Sequence, residues 1–276
     1  MTPFDLNSRV ALVTGAGRGI GRAIAGKLAA CGAAVMINDL DAAPASEAEA
    51  AIRATGGRAA SLAGSVTQPD FPQKLVDATV QAFGGIDIIV NNAGYTWDNV
   101  IQKMTDEQFQ AMLDVHLVAP FRILRAAAGP IRERAKQEAT EGRRVMRKVV
   151  NITSIAGTDG NAGQAGYSSA KSGVNGLTKT MAKEWGRYNV TVNSVGFGMI
   201  ETRLTQPLGP QSSINVEGRQ IAVGVQPKAL ESVKVLCPLG RAGTVEEAAG
   251  AVLFFCSPLS DYVTGEVLIC GGGMHF

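Results

Sequence analysis

The chain predicts an α/β fold built on a doubly wound parallel sheet in a single domain, residues 1–276, and three observations carry that reading. Short apolar runs alternate with longer helical patterns along most of the sequence. Those runs are apolar at nearly every position, as strands covered on both faces are. The first run leads straight into a glycine-rich turn that opens a helix, the entry expected of a Rossmann-type sheet.

In chain order, strands are expected at Val10–Val13, Ala34–Ile37, Ile86–Val90, Lys148–Ile152, Val190–Val195 and Val267–Ile269, with a weaker one at Arg58–Leu62. Helices are expected at Gly19–Ala30, Ala43–Ala54, Pro69–Phe83, Thr105–Arg134, Gly166–Trp185 and Val245–Cys256. Two segments break the rhythm. One is the charged stretch Ile131–Lys148. The other is the polar, Pro- and Gly-containing stretch 199–236, expected to be a substrate-covering loop because long loops in compact domains are usually functional or disordered.

The bulk numbers narrow the classes. A chain of 276 residues with 46% apolar and 18% charged residues is globular and needs no staples for its core. A net charge of +2 gives no footprint for nucleic acid. Cys31, Cys237, Cys256 and Cys270 form no CxxC pair and show no metal spacing with His116 or His275, so a reduced, cytoplasmic protein without a bound metal is expected. No apolar segment approaches the length of a membrane span, and the first residues do not resemble a secretory signal.

The glycine turn reads Thr14-Gly15-Ala16-Gly17-Arg18-Gly19-Ile20-Gly21. Glycines let a backbone approach a pyrophosphate, and the helix N-terminus offers its free N–H groups to the negative charge. The second strand then ends at Asn38-Asp39, 18 residues after Gly21. A carboxylate there suits the adenosine ribose hydroxyls and repels a 2′-phosphate, which favours NAD. Arg18 pulls the other way, since it can pair with that phosphate, and it keeps NADP open.

Tyr167 and Lys171 stand four residues apart at the front of a helical stretch and share one face. Bringing a phenol from about 10 to about 7 takes about 4 kcal/mol of preferential interaction, of which a neighbouring cation supplies part. The charge of a bound nicotinamide can add to it. Ser154, just beyond the fifth strand, is placed to hold a carbonyl or alcohol oxygen.

These segments, with Asn91-Asn92-Ala93-Gly94, Asn151–Ser154, Asn193–Thr202, Val263-Thr264-Gly265 and Gly271-Gly272-Gly273, make the chain resemble the single-domain short-chain dehydrogenases/reductases over nearly all its length. The resemblance implies that Tyr167 is the general acid/base, that Lys171 lowers its pKa and holds the nicotinamide ribose, and that Ser154 orients the substrate. It implies cofactor contacts at Gly15, Arg18, Gly19, Ile20, Gly21, Asp39, Ser65, Val66, Asn92, Ala93, Gly94, Tyr167, Lys171, Gly198, Ile200 and Thr202. Of these, Asn92-Ala93-Gly94 would stabilise the central strand and line the adenosine side, and Ile200 and Thr202 would meet the carboxamide and phosphate end.

Three positions depart from the family pattern. His116 stands where an asparagine usually completes a proton relay; it either substitutes there or is a buried structural histidine. Phe197-Gly198 replaces Pro-Gly, which should loosen the loop where the nicotinamide docks. Ser65 replaces the usual acid, which should weaken the adenine contact.

Among family branches the chain looks most like the 3-oxoacyl-thioester (acyl-carrier-protein) reductases, with a substrate carried on coenzyme A or an acyl carrier protein. A sugar, polyol or steroid dehydrogenase, or a catalytically idle redox sensor, are the alternatives. The seven basic residues of Ile131–Lys148 (Arg132, Arg134, Lys136, Arg143, Arg144, Arg147, Lys148) are either a solvated helix extension or a surface for an acidic partner. In the 199–236 stretch, Leu204, Leu208, Ile214, Ile221, Val223 and Val225 suit an acyl chain or ordinary packing. The resemblance also implies a homo-oligomer, a dimer or homotetramer.

Overall fold

The structure, a computed structural model, describes residues 4–207, 209 and 213–274, so Leu208 and His275 lie outside the described residues. The apolar runs become β1 (Val10–Val13), β2 (Ala34–Asp39), β3 (Arg58–Ala63), β4 (Ile88–Asn91), β5 (Arg147–Ser154) and β6 (Val190–Phe197). β7 (Ser213–Val216) and β8 (Arg219–Ala222) pair as a separate antiparallel hairpin. β9 (Val267–Cys270) then completes a seven-stranded parallel sheet in the order β3-β2-β1-β4-β5-β6-β9. The chain moves outward from β1 to β3 and returns to β4 on the other side of β1. That reversal opens a crevice at the carboxyl ends of β1 and β4, where such sheets bind ligands.

Helices cover both faces: α1 (Gly19–Ala30), α2 (Ala42–Ala54), α3 (Phe71–Phe83), α4 (Asp106–Leu113), α5 (Ala119–Thr140), α6 (Ala165–Trp185), α7 (Pro227–Leu236) and α8 (Val245–Cys256). Successive strand residues alternate between the two layers. Ala11 and Val13 of β1 join the layer under α1 and α8, and Leu12 joins the layer under α3, α5 and α6. All four residues of β1 are buried, which is why it reads as an unbroken apolar run.

Three expectations change. The helix predicted over Thr105–Arg134 starts as expected, with a capping box in which Thr105 and Gln108 satisfy each other's backbone N–H. It is then interrupted by a π turn at Asp114–Val118 and runs on to Thr140. The wider π turn carries His116 into the interior, 3% exposed.

The charged stretch is that helix extension followed by the start of β5, and much of its charge is neutralised internally. Arg147 is 1% exposed and grips Glu138 through two bonds of 2.6 and 2.9 Å, with Asp87 at 3.5 Å. Lys148 meets Asp261 at 2.7 Å, Arg134 meets Glu138 at 3.5 Å, and Arg143 bonds Glu141. Burial pushes the Glu138 carboxyl up, but the bonds and charge of Arg147, with Arg134 and Arg143, more than offset it and hold it below the usual range. Neither reading holds for Arg147 and Lys148, which are buried in ion pairs, and the pairing leaves less free positive charge for an acidic partner.

Stretch 199–236 is not a plain loop, since it contains the β7–β8 hairpin and α7. Ile221 and Val223 are buried packing residues, whereas Leu204, Ile214 and Val225 line the crevice.

Candidate active site

At the end of β1 the Thr14 hydroxyl accepts the N–H groups of Asn92 and Ala93, both at 3.0 Å. The Asn92 amide returns bonds to the carbonyls of Thr14 at 2.9 Å and Gly15 at 3.0 Å. The glycine turn is thus pinned to the end of β4. Sequence reasoning passed over Thr14; its signal was a hydroxyl directly before the first glycine of the turn.

Within the turn, a Cβ on Gly21 would sit 2.1 Å from the Gly15 carbonyl oxygen, and one on Gly17 would sit 2.7 Å from Asp39 Oδ2. Both glycines are needed for packing. Gly19 differs: its φ is +53°, and a Cβ there would face open space as far as Thr202, 3.9 Å away. No side chain caps the helix that starts at Gly19, and its first turn holds no acid. A gap at an uncapped helix N-terminus fits the pyrophosphate of a dinucleotide.

Asp39, 8% exposed, accepts the Gly17 N–H at 2.9 Å and the Asp41 N–H at 3.2 Å. Arg18 bonds Asp41 at 2.8 Å and lies 4.0 Å from Asp39, so its charge is already matched. Next door, Asn38 stitches the ends of β2 and β3 together by bonding the carbonyls of Leu62 at 3.1 Å and Gly64 at 3.0 Å. This fixes the loop carrying Ser65 and Val66.

On the other side of the crevice, Ser154 closes β5 and its hydroxyl accepts the Ala156 N–H at 3.2 Å. Tyr167 lies in the first turn of α6 and lines the crevice together with Ser154. Lys171, one turn on and 4% exposed, donates to the Ile152 carbonyl at 2.7 Å, and its Nζ stands 5.5 Å from the Tyr167 ring centroid. α6 can come this close because Gly157 leaves room: a Cβ there would be 2.7 Å from that of Lys171. A buried polar chain fixes α6 to the sheet, running Asn91–Asn151 at 2.8 Å, Asn151–Thr178 at 2.8 Å and Thr178–Ser194 at 2.7 Å.

The electrostatics differ from the expectation that Lys171 lowers the phenol. Burial pushes Tyr167 up to about 12; the Ser154 hydroxyl opposes this and the charge of Asp98 adds to it. Burial brings Lys171 down to about 7. Burial dominates the shift of both groups.

His116 sits between the two halves. Its Nε2 is 2.7 Å from the Tyr95 carbonyl, while Nδ1 is buried with no partner. Burial, reinforced by the Lys171 charge, holds its pKa well below the usual value, so the ring is neutral and Nε2 carries the proton to the carbonyl. A Cβ on Gly94 would meet His116 Cε1 at 2.2 Å, which explains the glycine there.

The loop after β6 is held despite the missing proline. The Gly198 N–H donates to the Cys270 carbonyl at 3.1 Å, and Met199 and Glu201 bond the backbone of Gly243 at 2.9 and 2.8 Å. These bonds restrain the loop that was expected to loosen.

All the site positions read from the sequence line one crevice of 1230 Å³, from Arg18 and Asp39 at one end, through Gly198, Ile200 and Thr202, to Ser154, Tyr167 and Lys171 at the other. Among the described residues there is no cluster of ligands for a metal ion, and no helix is long and apolar enough to cross a membrane.

Comparison with known proteins agrees with this fold. The family described as enoyl-(acyl carrier protein) reductase matches residues 15–275. The 3-oxoacyl-[acyl-carrier-protein] reductase FabG of Vibrio cholerae is 39% identical over 272 residues, covering 99% of both chains. The 3-oxoacyl-[acyl-carrier-protein] reductase of Synechocystis is 39% identical over 271 residues, 98% of both. A short-chain type dehydrogenase/reductase from Mycobacterium marinum has a closely similar crystal structure, with a TM-score of 0.82 at 28% identity over 98% of this chain and 96% of that one. With its parallel sheet and full-length relatives, the chain belongs to the short-chain dehydrogenase/reductase family and is an oxidoreductase using a nicotinamide cofactor.

Proposed function

We propose that the protein interconverts a 3-oxoacyl and a 3-hydroxyacyl thioester, the acyl group being carried on an acyl carrier protein or coenzyme A, with NAD as cofactor. The observation that carries the chemistry is that Ser154, Tyr167 and Lys171 line the same crevice as the glycine turn. The full-length relatives named for 3-oxoacyl reduction carry the substrate class.

When bound, the nicotinamide gives or takes the hydride. The chain's part is to hold the reacting oxygen and move its proton. Ser154 and Tyr167 present two hydroxyls to one substrate oxygen, which places donors where negative charge develops. A phenol near 12 is fully protonated at neutral pH, the state that carbonyl reduction needs, and it still out-acidifies an alkoxide. Lys171, fixed on the Ile152 carbonyl, would hold the nicotinamide ribose and pass a proton toward Tyr167.

NAD is favoured because Asp39 and Asp41 both stand at the ribose corner and already satisfy Arg18. A 2′-phosphate would have to strip Arg18 from Asp41 and lie against Asp39. Initial rates with NADH and NADPH against acetoacetyl-CoA and a panel of ketones, sugars and steroids test the reading. The highest kcat/KM is expected for NADH with the thioester. A measurable rate only with sugars or steroids would contradict the substrate assignment and leave the family intact.

A further inference from the structure

The β7–β8 hairpin forms part of the crevice wall, and the chemistry above makes no use of it. Its tip is the two-residue turn Glu217-Gly218, with φ of +52° and +85°, the left-handed pair that the tightest hairpins adopt. Glycine enters that region freely; a glutamate does so at a steric cost. The Gly218 N–H bonds Asn215 Oδ1 at 2.9 Å and stiffens the turn.

The tip reaches across to the loop after β3. The Glu217 carboxylate accepts from Gln68 Nε2 at 3.3 Å and from Thr67 Oγ1 at 3.4 Å. The Ser65 hydroxyl, itself 2.8 Å from Thr67 Oγ1, leads these partners in holding the carboxyl below its ordinary range, so it is an anion at neutral pH. Two residues on, Arg219 reaches the opposite wall. Its Nε is 2.8 Å from Glu107 Oε1 in α4, and its guanidinium lies 5.9 Å from the Trp97 ring centroid. The hairpin therefore crosses the mouth of the crevice with one foot on each side.

The first foot stands at the base-binding end. With the ribose at Asp39, the last residue of β2, the base of a dinucleotide extends outward over the end of β3, where Gly64, Ser65 and Val66 line the crevice. That loop offers a hydroxyl and an apolar side chain; the carboxylate beside it comes from the hairpin. Adenine presents an exocyclic amine, and a charged acceptor is the strongest partner for such a donor.

We propose that Glu217 accepts the exocyclic amine of the cofactor's adenine, so that the hairpin is a base-recognising strap supplying the acid that the β3 loop lacks. This rests on the reading of the crevice as the site of a nicotinamide–adenine dinucleotide.

The test compares binding of NADH with that of reduced nicotinamide hypoxanthine dinucleotide, in which a carbonyl replaces the amine, by quenching of protein fluorescence and without turnover. The wild type should bind NADH about tenfold more tightly, the scale of one charge-assisted hydrogen bond. Glu217→Asn, a residue that tolerates the left-handed turn, should bring the ratio close to one, chiefly by weakening NADH. Arg219→Gln frees the other foot and should weaken both dinucleotides alike, keeping the ratio. Equal affinities in the wild type, or an unchanged ratio in Glu217→Asn, would overturn the proposal while the cofactor reading stands. No binding of either dinucleotide to the wild type would overturn both.

Discussion

The imidazole of His116 stands edge-on to the phenol of Tyr167, with ring centroids 4.9 Å apart and planes at 88°. His116 lies in the π turn, buried, and lines the crevice. His116 is thereby a neutral wedge behind the proposed acid/base, with one nitrogen bonded to Tyr95 and the other bare.

That neutrality makes stability sensitive to acid. The folded-state pKa of His116 lies below its unfolded value, because burial disfavours the imidazolium. As pH falls through about 6.5, the unfolded chain binds a proton that the folded chain does not, and stability drops. Between pH 7 and 5.5 this group should account for about 1 kcal/mol. Urea melts of the wild type and of His116→Phe, which keeps a ring against Tyr167, should differ in slope over this range by that amount. Parallel profiles would show that His116 is not held neutral.

The buried pair Arg147–Glu138 locks the end of α5 to the start of β5. Removing Glu138 takes two charge-assisted bonds from Arg147 and leaves it only Asp87 at 3.5 Å, so Glu138→Ala should cost about 2–3 kcal/mol in denaturant unfolding. The double change Glu138→Leu with Arg147→Met should recover most of that loss, since an apolar pair has no charge to desolvate. A double variant no better than Glu138→Ala would mean that packing, and not the charge, holds this corner.

Cofactor choice turns on Asp39. Direct titration should show NADH binding at least about tenfold more tightly than NADPH, because a carboxylate with two backbone N–H partners cannot move away from a 2′-phosphate. Tighter binding of NADPH would mean that Arg18 leaves Asp41 to receive the phosphate.

The sheet was legible because its strands are buried on both faces, which writes each one as an apolar run; even the weaker Arg58–Leu62 forms, one residue longer as β3, a six-residue register with β2. The glycine turn, Asp39, Ser154, Tyr167 and Lys171 were legible because each follows a strand end or shares a helix face at fixed spacing. The π turn was not, since a single wider turn leaves the apolar pattern on either side intact. The hairpin was missed although Ile214-Asn215-Val216, then Glu217-Gly218, then Arg219-Gln220-Ile221 carries an alternating pattern around a turn dipeptide. The Arg147–Glu138 pair joins residues on opposite sides of a helix-to-strand turn, a contact that local charge counting reads as solvated surface. The direction of the Tyr167 shift was also out of reach, because it depends on how completely the crevice desolvates the phenol.

The most direct test of the account is the NADH-dependent reduction of acetoacetyl-CoA by the wild type and by Tyr167→Phe. The variant keeps the ring against His116 and loses only the proton that Tyr167 is proposed to give. Its kcat should fall by about 10²–10⁴-fold, with NADH affinity changed less than about threefold and the melting temperature nearly unchanged. Turnover within a few-fold of the wild type would contradict the assignment of Tyr167 as the group that moves the proton.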